Sequence, residues 1–314
     1  MQLKSPKDLA IKARMMGKKT ISYSQFNMYK TCPHQWKLNY IDKHKEFEPS
    51  IFLTFGTSMH EVIQHYLEIM YNDSVKAADS IDLHKMLKER MHHNYSETLS
   101  EFDGKHFSSQ DQMMEFYWDG VEIIDYLKKK RGAYFSKKNC ELVGIEMPIF
   151  HEIESNPNIM MTGFIDLVIK EHDRIKIIDI KTSTMGWRPS QKKDNGDQLR
   201  IYKEYFAKQY NVDVKDIDVE YFIVKRKLYE NLDFPQRRIQ QYRPAAGKPS
   251  LSKVNKNLDK FITEAFTLEG KHNISGFYPA TKGEKNKNCK WCPFKTNYEL
   301  CPKENRVVAW KLGL

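Results

Sequence analysis

The sequence predicts an α/β fold, a mixed sheet with helices on its faces. Three observations predict it. Apolar residues recur at helical spacing ahead of residue 135. Short apolar runs at 141–151, 160–170 and 174–182 then switch to the period of strands. Helical spacing returns over 197–210, before a fourth strand-like run at 217–225. A sheet covered by helices accommodates that order economically.

Taken in order, residues 1–20 carry Lys4, Lys7, Lys12, Arg14, Lys18 and Lys19 without an apolar stretch. They read as a basic, flexible lead-in, not a secretory signal, and the expected location is cytoplasmic, in a bacterial cell or phage-infected host. Residues 21–314 read as a single domain. Thr20 to Tyr40 alternates polar and aromatic residues around Cys32-Pro33. Phe55, Met59, Val62, Ile63, Tyr66, Leu67 and Met70 mark a helix. Ser58 with Glu61 resembles a capping box and places the helix start just after Gly56. Residues 72–135 read as a helical insertion, broken near Asp103-Gly104. Turns at Asn156-Pro157-Asn158 and His172-Asp173 separate the three strands and favour a hairpin. Residues 226–250 read as a basic loop and 251–268 as an amphipathic helix, with a cysteine-rich segment at 282–302.

With 314 residues, 40% hydrophobic and 29% charged, the chain can bury a core without disulfides and is not of disordered composition. No run of about 18 apolar residues occurs, which excludes a helical membrane span. The net charge of +10 suits a polyanionic partner. No Walker-type phosphate loop occurs, so any cooperating helicase or recombination protein is expected to be a separate polypeptide. No helix-turn-helix, zinc-finger or RNA-binding signature points to sequence-specific readout.

Asp166 and Asp179 fall near the ends of adjacent predicted strands, and Lys181 shares a strand face with Asp179. Two close carboxylates repel unless a divalent cation lies between them. Mg²⁺ suits such oxygen ligands and activates water. A neighbouring lysine orients or deprotonates that water, or stabilises charge on a phosphate. Asp-x-Lys alone is weak evidence, because solvated strand ends carry it often.

Its neighbours add to it. Gly56-x-x-x-His60, Gly163-Phe164-Ile165-Asp166, Asp179-Ile180-Lys181 and Gln198-x-x-x-Tyr202 follow one another. Ser22-Tyr23-Ser24-Gln25-Phe26 and Cys32-Pro33-His34-Gln35-Trp36-Lys37 precede them. From about Ile21 to Pro302 the chain resembles the RecB-type branch of the PD-(D/E)XK nuclease superfamily, in particular AddB-type and CRISPR-adaptation nucleases. The resemblance implies a restriction-endonuclease-like core. It implies that Asp166, Asp179, the Ile180 carbonyl and His60 hold Mg²⁺ or Mn²⁺, and that Lys181 is the catalytic lysine. It further implies that Gln198 and Tyr202 steady the site and contact nucleic acid, although ordinary helix packing explains such a pair as well. Ile165 stands where the superfamily's name has proline. Glu146, in mid-strand, is a candidate further acidic participant.

Cys289-x2-Cys292-x8-Cys301 is a compact triad, and Cys32 is the candidate fourth ligand. Cys140 opens a strand and reads as a structural thiol. AddB-type nucleases resemble this arrangement, which implies a 4Fe-4S cluster stapling the two ends of the domain. Four thiolates also suit Zn²⁺, and both occupants stay open. Lys and Arg recur in 225–256 and 282–295, as phosphate contacts require. Trp187, Tyr202, Tyr205, Phe277, Tyr278 and Trp291 are candidates for stacking single-stranded bases, though aromatics are more often core. The expected function is a Mg²⁺- or Mn²⁺-dependent DNA exonuclease. Its expected substrates are single strands or duplex ends, without sequence specificity, in recombination, repair or phage DNA processing. The alternatives are a non-catalytic DNA-end-binding subunit of a helicase–nuclease complex and a CRISPR-adaptation nuclease.

Overall fold

A computed structural model describes residues 3–44, 48–135, 138–230 and 234–308. Ten helices and eight strands occur among them: α1 (Pro6–Met15), β1 (Lys19–Ser22), α2 (Tyr23–Thr31), α3 (Pro33–Tyr40), α4 (Ile51–Asn72), α5 (Val75–Ser80), α6 (Leu83–Glu101), α7 (Gln110–Lys130), β2 (Cys140–Ile153), β3 (Asn156–Glu171), β4 (Arg174–Ser183), α8 (Pro189–Asp194), α9 (Asp197–Tyr210), β5 (Ile217–Lys225), β6 (Ile239–Tyr242), α10 (Lys248–Ala265), β7 (Ala280–Thr281) and β8 (Arg306–Val307). None of the described helices is long and apolar enough to cross a membrane.

The main sheet runs β1-β3-β4-β5-β6, with β2 added on β3. The β1–β3 and β4–β5 pairs are parallel; β2–β3, β3–β4 and β5–β6 are antiparallel. The sheet is therefore mixed, and the α9 crossover joins its parallel pair β4 and β5. In β5, Val219, Tyr221 and Ile223 feed one core while Phe222 and Val224 feed the other. That period of two splits the interior into two layers. One layer holds Phe26 of α2, Leu199 of α9 and Phe261 of α10; the other holds Met59 of α4, Leu87 of α6 and Ile123 of α7.

The long strand β3 positions the site. β2 runs along one side of it. On the other side, β1 pairs with Ile159–Thr162 and β4 pairs with Leu167–Glu171. Between those ladders, Gly163-Phe164-Ile165-Asp166 has no strand partner on that side among the described residues, and the sheet opens there.

Two expectations are corrected. Residues 1–20 are folded where described, not a free lead-in. Ser5 caps α1, which buries Leu9 and Ala13, and β1 joins the main sheet. The alternation of polar and apolar residues around Ile21 supplies the buried strand residue. Helix α4 starts at Ile51, behind Ser50, and not after Gly56. Ser58 lies inside it, bonding back to the Thr54 carbonyl at 2.8 Å while Asn94 of α6 donates to its hydroxyl at 3.0 Å. A serine that bonds a neighbouring helix mimics a cap in sequence alone. The 226–250 stretch also contributes β6, while 231–233 lie outside the described residues.

Candidate active site

Continuing the β3–β4 register past Leu167↔Ile178 sets Asp166 opposite Asp179. The ladder stops there because the Asp166 carboxylate takes the place of a strand partner: the Ile180 N–H donates to its Oδ2 at 2.7 Å. Asp179 is 1% exposed. Its Oδ2 lies 2.7 Å from Lys181 Nζ, a close ion pair. Period two puts Lys181 on the same side of β4 as Asp179, with its side chain 33% exposed.

Helix α4 brings the third member. Gly56 lets it press against β4, since a Cβ there would sit 3.2 Å from Thr182 Oγ1. One turn later His60 Nδ1 is 3.6 Å from Asp166 Oδ2. One further turn on, Gln64 Nε2 donates to Glu146 Oε1 at 2.6 Å and to the Asp166 carbonyl at 3.1 Å. Glu146 holds a positive φ of 48°, a strained conformation for a non-glycine residue in a strand. The fourth side comes from α9. Gln198 Nε2 donates to Tyr202 OH at 3.3 Å, and Tyr202 fills the space over Gly163, where a Cβ would meet its ring at 3.1 Å.

Electrostatics follow from this crowding. Burial, then the Asp179 charge, raises the Asp166 carboxyl well above the ordinary range. Burial also raises Asp179, against the pull of Lys181. For Lys181, burial works against the ammonium, but Asp179 and Asp166 outweigh it and hold the charge. Burial and Lys181 push the His60 imidazole down to about 4, despite its hydrogen bond to the Ile180 backbone. Neutral imidazole is the form that ligates metals.

Among the described residues, no group of three or more His, Cys, Asp or Glu is positioned to hold a metal ion. The donor set nevertheless fits Mg²⁺ or Mn²⁺, which take one or two carboxylates with backbone carbonyl and water. Asp179, buried and set opposite Asp166, with the His60 imidazole 3.6 Å from Asp166, makes such a set.

The sequence-identified residues do not all land at this site. Tyr205 and Tyr278 are buried in the core and unavailable for stacking, and Trp187 packs on Tyr221 at 4.8 Å. Tyr202 is buried at the site. Phe277 and Trp291 are exposed, the latter with Lys290 Nζ 5.0 Å from its ring. Cys32, Cys289, Cys292 and Cys301 line one small cavity. Cys140 lies apart on β2. Sequence reasoning missed Gln64; its one signal was the four-residue step from His60.

The matching family model, described as PD-(D/E)XK nuclease superfamily, spans residues 20–301. No curated relative matches the chain. Among solved structures, a candidate exonuclease from Eubacterium rectale is similar, at a TM-score of 0.50 and 13% identity, covering 99% of this chain and 96% of that one. A second, SSO0001, reaches a TM-score of 0.30 and 14% identity over 83% of this chain and 92% of that one. The first likeness supports the fold alone. The family match takes in His60, Asp166, Asp179, Lys181, Gln198 and Tyr202 together, and with it the chain belongs to the PD-(D/E)XK nuclease superfamily, a family of metal-using phosphodiester hydrolases.

Proposed function

We propose that this chain is a Mg²⁺- or Mn²⁺-dependent deoxyribonuclease, an exonuclease acting on DNA ends or single strands. One observation carries the reading: His60, Asp166 and Asp179–Ile180–Lys181 meet where the sheet opens beside β3. Asp166, Asp179, His60 and the Ile180 carbonyl would hold the cation. A bound cation would supply activated water and charge neutralisation at the phosphate. Lys181, charged and partly open to solvent, stabilises charge developing on the phosphate. Asp179 keeps that ammonium in place. Gln198 steadies Tyr202, and Tyr202 closes the site over Gly163. The charge of +10 favours the DNA backbone, and exposed Trp291 beside Lys290 suits unpaired bases.

The relation to the AddB-type branch is supported by the four cysteines that line one cavity, with a 4Fe-4S cluster as the proposed occupant and Zn²⁺ as its competitor. Residues 21–314, of which 309–314 lie outside the described residues, then act as one nuclease domain, with α5, α6 and α7 inserted between α4 and β2.

Asp179→Ala and Lys181→Ala are expected to keep the fold and DNA binding while kcat falls about 10³-fold. The check is gel cleavage of end-labelled DNA by protein freed of host nuclease. Full activity in either variant rejects the mechanism.

A further inference from the structure

Helix α4 carries more than the metal-facing histidine. Phe52, Gly56, His60 and Gln64 are four residues apart, so they form one row along its face. Gln64 meets Asp166 and Glu146, His60 meets Asp166, and Gly56 meets Thr182. The row ends at a cavity of about 220 Å³, lined by Phe52, Phe55, Thr182, Ser183, Thr184 and Arg226. Its wall therefore begins one residue beyond Lys181.

The cavity's chemistry is that of a neutral, planar ligand. Phe52 is 54% exposed but held in place, with its ring edge-on to Phe116 at 5.0 Å and 86°. Arg226 offers no net charge to a phosphate. Its Nη1 pairs with Asp119 at 2.5 Å and Glu115 at 3.0 Å, and its guanidinium lies 4.0 Å over the Phe116 ring. Its Nε is buried and has no hydrogen-bond partner among the described residues. The threonine hydroxyls add small polar groups. A fixed aromatic ring, neutralised charge and a few donors select a nucleobase. At 1.5 Å per residue, Phe52 stands about 12 Å along α4 from His60, beyond the reacting phosphate and within reach of a neighbouring nucleotide.

We propose that this cavity is a base subsite, in which Phe52 stacks an unpaired nucleobase of the strand whose phosphodiester lies at Asp179 and Lys181. The assignment rests on the nuclease reading above and names how the substrate strand is gripped beside the site.

The test uses the full chain and a short single-stranded DNA in which 2-aminopurine takes each near-terminal position in turn. Without divalent cation, stacking on Phe52 is expected to quench the probe at one position. Phe52→Ala should abolish that quench, weaken binding about tenfold, and raise KM in Mg²⁺ by a similar factor with kcat within about twofold. Phe52→Tyr should restore all three. Unchanged quench and affinity in Phe52→Ala overturn the subsite, as does the absence of any quench in the wild type. A Phe52-dependent quench without cleavage overturns the nuclease reading and upholds the base site. Cleavage without such a quench overturns the base site alone.

Discussion

Gln64 is the residue on which the candidate site's geometry turns. Its single amide nitrogen spans two elements, reaching the Glu146 side chain on β2 and the Asp166 carbonyl on β3. Those partners lie 82 and 102 residues away in the chain, so no local pattern announces them. The shared face of Asp179 and Lys181 was legible because a strand's period of two is a local property, and Asp166 came beside them through the hairpin that its neighbouring turn predicts. Without Gln64, the part-buried Asp166 carbonyl loses a donor and the strained Glu146 loses its anchor. Gln64→Leu is expected to lower stability by about 1–3 kcal/mol. It should also weaken Mn²⁺ binding about tenfold, as loss of an outer hydrogen bond does at metal sites. Chemical denaturation and the free-Mn²⁺ paramagnetic signal measure the two effects. Unchanged Mn²⁺ affinity would limit Gln64 to a packing role.

Among the elements, β3 decides where chemistry can occur. It is paired by β1 at its start and β4 at its end, and between them Gly163–Asp166 has no strand partner on that side among the described residues. Reading each strand separately shows their faces but not this gap, which depends on where two partners stop. The connection after α10 makes a second point about elements. His272 bridges Phe266 and packs on Trp36 at 5.5 Å. Burial first, then Lys19 and Lys43, press its imidazole down to about 4. Between about pH 6.5 and 4 the unfolded chain therefore binds a proton that the folded chain refuses, and stability falls as pH falls through that window. His272→Phe keeps an aromatic ring against Trp36 and removes the titration. Its loss of stability from pH 7 to pH 4.5 should be about 1 kcal/mol smaller than the wild type's. Paired urea titrations at those pH values check this; equal losses would assign the acid sensitivity elsewhere.

For the whole molecule, the segment at Thr31–His34 is clasped to the segment at Thr281–Leu300. Thr281 Oγ1 and Asn288 Nδ2 both donate to the Thr31 carbonyl, at 2.6 and 2.8 Å. The Thr281 N–H donates to Cys32 Sγ at 3.3 Å, and His34 bonds the Leu300 carbonyl at 2.8 Å. The four-cysteine cavity sits in this clasp. On our proposal, protein purified without oxygen carries roughly four irons per chain and absorbs in the visible. Cys292→Ala should lose both and melt about 5 °C lower or more, because a cross-link spanning most of the chain restricts the unfolded state. Colourless protein with one zinc would keep the clasp and reject the iron–sulfur centre. Metal analysis and a melting curve on the same sample distinguish these outcomes.

By itself the sequence determined the strand periods, the shared face of Asp179 and Lys181, the helical step linking Gly56 to His60, and the cysteine spacing near the C-terminus. These follow from side-chain geometry within a few residues. Only the tertiary structure decided that Pro6–Met15 is a helix and Lys19–Ser22 a strand of the sheet, that α4 begins at Ile51, and that Gln64 ties Glu146 to Asp166. It also decided that Tyr205 and Tyr278 belong to the core, and that Cys32 shares a cavity with the three C-terminal cysteines. Each of those depends on which distant segments pack together, and the free energy of that packing is spread over the two layers of core rather than written in any short run of residues.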